Sequence, residues 1–161
     1  CNSSFLEISK QQMPNEQICS IEELNRFYQK ENVKLFVAIS QFRFLNRDRR
    51  DTFDYLRKQG WHFLNLISPS AKMYSTHIGE GNWLMDDCFI GNEVEIGDNN
   101  VFAEQSYIAH YSKIRNNNYL GVRSMIMGTT TIAGSSFFGA NSLVFNDCKI
   151  GMSCLIGGDN S

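Results

Sequence analysis

From residue 78 onward a large apolar residue recurs at every sixth position. Fourteen hexads fill residues 78–161, and they open with Ile78, Leu84, Ile90, Ile96, Phe102, Ile108, Ile114, Leu120, Ile126, Ile132, Phe138, Val144, Ile150 and Ile156, without a slip of frame. The fifth position of each hexad is small or medium-sized and uncharged, and the second is often Gly or Ala. A period of six suits neither an α-helix nor a plain two-residue alternation. It predicts a three-sided prism in which each hexad is one short strand followed by a corner. Three hexads then close one coil, so the chain holds four coils and two further sides. The first residue points inward and the fifth packs at the corner. Glycine is expected at turns that need positive φ. Stacked coils pair as parallel strands about 4.8 Å apart. This pattern is that of a left-handed parallel β-helix, an exception to the right-handed crossover rule. A β-sandwich would need coincidental spacing, because its strands vary in length and register.

The first half has a different rhythm. Ser20-Ile21-Glu22-Glu23 predicts a capping box opening a helix that runs to about Lys30. Lys34 to Ser40 is a short apolar, β-branched run suited to a buried parallel strand. A helix follows over about Asn46–Gln59, with Gly60 as its C-cap. Trp61–Ile67 reads as another strand, so the order implies a βαβ crossover. The organisation expected is a Rossmann-like α/β subdomain over 1–70 and the β-helix over 71–161.

Glycine and charge mark the same division. Eleven of the 12 glycines follow residue 77. Residues 1–77 hold 11 Lys and Arg against 8 Asp and Glu, and residues 78–161 hold 4 against 9. The net charge of -2 argues against a nucleic-acid binder that works by phosphate neutralisation. No apolar run is long enough to span a membrane, and the start as given carries no signal peptide. The five cysteines show no CxxC spacing, so free thiols in a reducing cytoplasm are expected and a zinc site is not.

Together, Phe36 to Ser40, Gly60-Trp61 through Ile67 to Ala71, the hexads, and Ile108-Ala109-His110-Tyr111-Ser112-Lys113-Ile114 resemble the trimeric hexapeptide-repeat sugar acyltransferases. The resemblance implies acetylation of a nucleotide-linked amino sugar or sialic acid for surface glycans. It implies acetyl-CoA as co-substrate, no metal, and a cytoplasmic homotrimer with its active site between neighbouring prisms. Against that family, an opening strand and Gly-rich loop before Cys1, and further coil after Gly158, are expected to be missing.

Acetyl transfer needs a base, an oxyanion donor and a groove for the coenzyme. His110 is the only histidine inside the hexads, and the matching family histidine is the base. Residues one coil apart stack, which brings Gly128 beside His110. The family uses a glycine there to hold the acetyl carbonyl. Gly139, Ala140 and Gly158 would line the pantetheine path, and the small third positions Gly128, Gly134 and Ala140 suggest a groove along the coils. Tyr111 and Tyr119 stand where relatives often carry an acid and a second histidine. Glu93, one coil before Tyr111, is a candidate for the lost charge. Tyr119 is a candidate substrate contact, with Asn2, Ser40 and Gln41 at the strand ends of the nucleotide crevice. Arg43, Arg47, Arg49 and Arg50 could attract a diphosphate, or form a solvated helix face with Asp48, Asp51 and Asp54. The alternative function is an impaired paralogue that binds nucleotide-sugar or serves as a trimeric scaffold. A metal enzyme on the same prism is disfavoured, because the step from His77 to His110 is not a whole number of coils. An acyltransferase for serine or other small metabolites is disfavoured by the βαβ half.

Overall fold

The computed structural model describes residues 19–39 and 46–158. Contacts divide the chain into one unit ending at Lys34 and a second from Leu35 to Ser161. In the first, Glu23 accepts hydrogen bonds from the Ser20 amide at 3.0 Å and the Ser20 hydroxyl at 3.1 Å. A 3-10 turn over Ile21–Glu23 leads into a helix over Leu24–Phe27. The helix stops short of the expected Lys30. Tyr28 is extended, and the Asn32 amide closes a new turn on the Gln29 carbonyl at 3.1 Å.

In the second unit the β-helix begins earlier than the hexads do. Leu66–Ile67 pairs in parallel with Trp83–Leu84, and Lys72–Met73 with Phe89–Ile90. From the pairing of Ile78 with Ile96 onward, each partner lies three full hexads along the chain. The two earlier pairings fall one position short of that step, so one residue is missing from the first rung. Trp61–Ile67 is not one strand: His62–Phe63 and Leu66–Ile67 are separate, and the latter is the first rung. The strand expected over Lys34–Ser40 is confined to Lys34–Leu35.

Three parallel sheets form the sides of the column. Side one carries Trp83–Leu84, Val101–Phe102, Tyr119–Leu120, Phe137–Phe138 and Leu155–Ile156. Side two carries Phe89–Ile90, Tyr107–Ile108, Met125–Ile126 and Leu143–Val144. Side three carries Glu95–Ile96, Lys113–Asn116, Thr131–Gly134 and Lys149–Met152. The first-position residues from Leu84 to Val144 fill the interior and form its apolar core.

The fifth positions explain the uncharged requirement. At one corner Asn82, Asn100, Asn118, Ser136 and Cys154 form a ladder. The Asn100 amide donates to Asn82 Oδ1 at 2.8 Å, Asn118 to Asn100 Oδ1 at 2.9 Å, Ser136 to Asn118 Oδ1 at 3.1 Å, and Cys154 to Ser136 Oγ at 3.0 Å. The side chain of one rung thus satisfies the corner amide of the next, where the strand ladder is interrupted.

Glycine does not supply the turns as expected. Positive φ recurs at the fourth position of each hexad, from Gly81 and Asp87 to Ser153, and only Gly81 is a glycine there. The second-position glycines Gly79, Gly91, Gly97, Gly121 and Gly139 answer crowding instead. A Cβ on Gly139 would lie 2.8 Å from the Gly158 Cα of the next rung.

The helix Arg47–Lys58 packs on the first rungs and ends with Gly60 at φ 86, as its cap position predicts. The Phe53 and Phe63 rings pack tilted with centroids 4.2 Å apart, and a Cβ on Gly81 would lie 2.6 Å from the Phe53 ring. Arg49 is fully buried. It donates to the Val37 carbonyl and, at 2.8 Å, to the Gly81 carbonyl. Burial lowers its pKa to about 10. Arg57 bridges Glu80 and Asp98. Burial alone would raise the Glu80 carboxyl, but the Phe63 amide, Arg57 and His62 together hold it below the ordinary value.

Asn100→Ala leaves buried amides on the ladder without a partner, and should cost about 2–3 kcal/mol in urea unfolding. Glu80 has a depressed folded pKa, so its stabilisation is present above its ordinary value of 4.5 and is lost as pH falls through the lower folded value. Glu80→Gln should remove that part of the acid slope in a stability-versus-pH series.

Candidate active site

The corner residues of each rung arrange their peptides in one way. The fourth residue, at positive φ, turns its N–H onto the third-position carbonyl of the rung before: Tyr111 donates to Asn92 at 3.0 Å, Thr129 to His110 at 3.0 Å, and Asp147 to Gly128 at 3.1 Å. The third-position N–H has no such backbone partner. On the edge between sides three and one, side chains fill the gap: Glu80 N–H donates to Asp98 Oδ1 at 2.8 Å, and Asp98 N–H to Asn116 Oδ1 at 2.9 Å. The amides of Glu80 and Asp98 are thereby covered. On the edge between sides two and three the third positions are Asn92, His110, Gly128 and Asn146. There the Gly128 N–H donates to no described residue.

His110 and Gly128 are brought together. A Cβ on Gly128 would lie 3.0 Å from His110 Nε2 and 3.2 Å from Cε1, so the imidazole rests against the glycine. His110 is exposed, and its ring meets Tyr111 edge-on with centroids 5.4 Å apart. The imidazole makes no hydrogen bond to a described residue. On its N-terminal side a groove of about 260 Å³ is lined by Tyr74, Phe89, Gly91, Asn92, Tyr107 and His110. Phe89 and Tyr107 stack in parallel with centroids 4.9 Å apart, and Tyr74 packs on Phe89 at 5.6 Å with its ring tilted by 47°.

The model of the bacterial transferase hexapeptide family (six repeats) matches residues 75–110. Two variants of perosamine N-acetyltransferase from Caulobacter crescentus, one with a histidine changed to asparagine and one with it changed to alanine, are each 24% identical to this chain. Both were solved with CoA and GDP-perosamine. They superpose with TM-scores of 0.72 and 0.73 over 85% of this chain and 62% of theirs. PerB from the same organism, also with CoA and GDP-perosamine, is 20% identical with a TM-score of 0.59, over 98% of this chain and 90% of that one. The column is a hexapeptide-repeat β-helix. This chain spans 62% of the length of the first two structures. No curated protein matches it.

Other expected residues lie elsewhere on the β-helix. Consecutive third positions visit three different edges, so Gly128, Gly134 and Ala140 do not form one groove. Only residues separated by whole coils share an edge. Gly139, Ala140 and Gly158 do stack together, on the edge between sides one and two; a Cβ on Gly158 would lie 3.0 Å from the Ala140 amide nitrogen. Tyr119 is on side one, half-buried and stacked on Phe137 at 5.2 Å. Burial, and then Glu104, push its phenol pKa up. Glu93 is exposed and lines a separate groove with His77, Glu95 and Arg115 rather than the one holding His110. Arg49 faces inward and Arg50 pairs with Asp51 at 2.9 Å, so these two do not present a joint anion site. Asn2, Ser40, Gln41 and Arg43 lie outside the described residues.

The aromatic lining of the His110 groove is not singled out by the sequence reading. Phe89 and Tyr107 carry a signal, since both are sixth positions and lie one coil apart. Tyr74 is masked by the short first rung. Among the described residues no group of three His, Cys, Asp or Glu is placed to hold a metal ion, and no helix is long and apolar enough to cross a membrane.

The two glycines predict different costs. Gly139→Ala meets backbone in the next rung and should lower the urea midpoint clearly. Gly128→Ala meets the tip of His110 first, so it should change stability less while displacing the imidazole, seen as a shifted His110 ring resonance in NMR.

Proposed function

We propose that this chain is an acetyl-CoA-dependent acetyltransferase acting on a nucleotide-linked amino sugar for surface-glycan synthesis in the cytoplasm. The observation that carries the reading is the open edge on which His110 Nε2 rests against Gly128, whose N–H is uncommitted among the described residues. The perosamine N-acetyltransferase structures, with CoA and GDP-perosamine, support the choice of donor and acceptor.

Acetyl-CoA supplies an already activated acetyl group, so no covalent enzyme nucleophile is needed. His110 accepts the proton that the acceptor amine loses as it attacks the thioester carbon. The Gly128 N–H donates to the oxygen that gains charge. The C–S bond breaks, and the proton passes from His110 to the departing thiolate. Tyr111 offers a ring edge and a hydroxyl but no full charge, so the imidazolium is stabilised less than beside a carboxylate.

The surface favours a homotrimer. Side one presents Tyr119, Phe137 and Leu155, and side two Tyr107, Met125 and Leu143. Side three presents Glu95, Lys113, Thr131 and Lys149. Two apolar sides that meet at one edge suit a closed three-fold ring in which side one of each copy packs on side two of the next. Gly139, Ala140 and Gly158 stand on a different edge from His110. A donor held by all of them would be shared between copies.

The test is thiol release from acetyl-CoA in the presence of UDP- and GDP-linked amino sugars. His110→Ala should reduce kcat about 10²–10⁴-fold with little change in the KM for acetyl-CoA. Nucleotide-sugar binding without thiol release by the wild type would favour the impaired paralogue.

A further inference from the structure

We propose that the groove on the N-terminal side of His110 holds the acceptor's pyranose ring, with the Asn92 carboxamide orienting its amine. This rests on the acetyltransferase reading above and assigns the acceptor half of that site.

The imidazole has two distinguishable sides. Along this edge His110 stands between Asn92 on the rung before and Gly128 on the rung after. The free Gly128 amide fixes the thioester oxygen on the C-terminal side. A nucleophile attacking that carbon with its proton on His110 must therefore come from the other side, where the groove lies. Its volume, about 260 Å³, is below the ~300–1,000 Å³ typical of sites for whole drug-sized ligands. It fits one ring and leaves the nucleotide outside.

The lining suits a neutral amine. Phe89 stacks on Tyr107 and packs against the tilted Tyr74 ring along the column, so the groove has an aromatic wall. Asn92 is exposed, and its carboxamide makes no hydrogen bond to a described residue. No carboxylate lines the groove, so no full negative charge there holds the amine as an ammonium. The ionisable groups near His110 are the Tyr74, Tyr107 and Tyr111 phenols, with Glu93 and Asp147 at fourth positions of the same edge. Asp147 is engaged by the Thr129 hydroxyl. An uncharged amine can donate one N–H to the Asn92 carbonyl oxygen and another to His110 while its lone pair faces the thioester carbon.

The experiment uses the full chain with acetyl-CoA and the best acceptor from the UDP- and GDP-linked panel. Asn92→Ala should raise the acceptor KM tenfold or more and leave the acetyl-CoA KM within about twofold. Asn92→Asp places a charge beside His110 and favours the imidazolium. The rising limb of kcat/KM should then move up by about one pH unit. The His110 ring titration followed by NMR without substrates should move the same way. Wild-type acceptor KM and pH profile in both variants, with thiol release intact, would overturn the groove assignment and leave the acetyltransferase reading standing. No thiol release by the wild type with any acceptor would remove that reading, and this proposal with it.

Discussion

The whole column depends on one peptide orientation repeated at each corner from Asn99 to Ser153. A fourth-position residue at positive φ sends its amide to the carbonyl of the rung before, as Thr129 does to His110. L-residues resist that conformation, yet twelve fourth positions from Asp87 to Ser153 hold it. Fifth-position side chains brace the corners most fully in the Asn82–Asn100–Asn118 ladder. The same orientation leaves third-position amides facing outward. Whether such an amide is available depends on the side chains around it. Asp98 and Asn116 cover the amides of Glu80 and Asp98 on one edge, while on the His110 edge no described side chain covers the Gly128 amide. Chemistry on this scaffold is thus selected by what fails to cover a repeated backbone feature.

The helix Arg47–Lys58 meets the column through a different set of forces. Arg49 is fully buried with carbonyl acceptors from Val37 and Gly81 and the Phe36 ring 5.3 Å from its guanidinium. Burial lowers its pKa, yet at about 10 the side chain stays charged at neutral pH. Arg57 reaches in the other direction, to carboxylates on two successive rungs. Removing either arginine would leave polar groups of the first rungs without partners.

The hexads are legible in sequence because each position answers to a local rule repeated many times. Inward side chains must be apolar, and the fifth must fit a tight corner. The pairing of His110 with Gly128 follows from the same arithmetic. What escapes is whatever lies off that period. The first rung is one residue short, which hides Leu66–Ile67 and Tyr74 from the frame. The helix after Ser20 ends early because a turn at Gln29–Asn32 competes with its last residues. General preference puts glycine at positive φ, whereas contact between rungs decides where it sits here. Arg49 cannot be told from a surface arginine, since burial depends on residues far away in the chain. Glu93 has the right spacing to Tyr111, but it lines another groove.

An edge recurs only once per circuit, and this gives the chain a quantised tolerance to changes of length. Adding one hexad between His110 and Gly128 would keep every apolar residue inside and still rotate the glycine onto the next edge. Adding a whole circuit would keep the rotation and lift the glycine one storey away. Natural variation in length should therefore accumulate above or below this pair of storeys, in whole circuits, while the segment joining the two residues stays fixed in count.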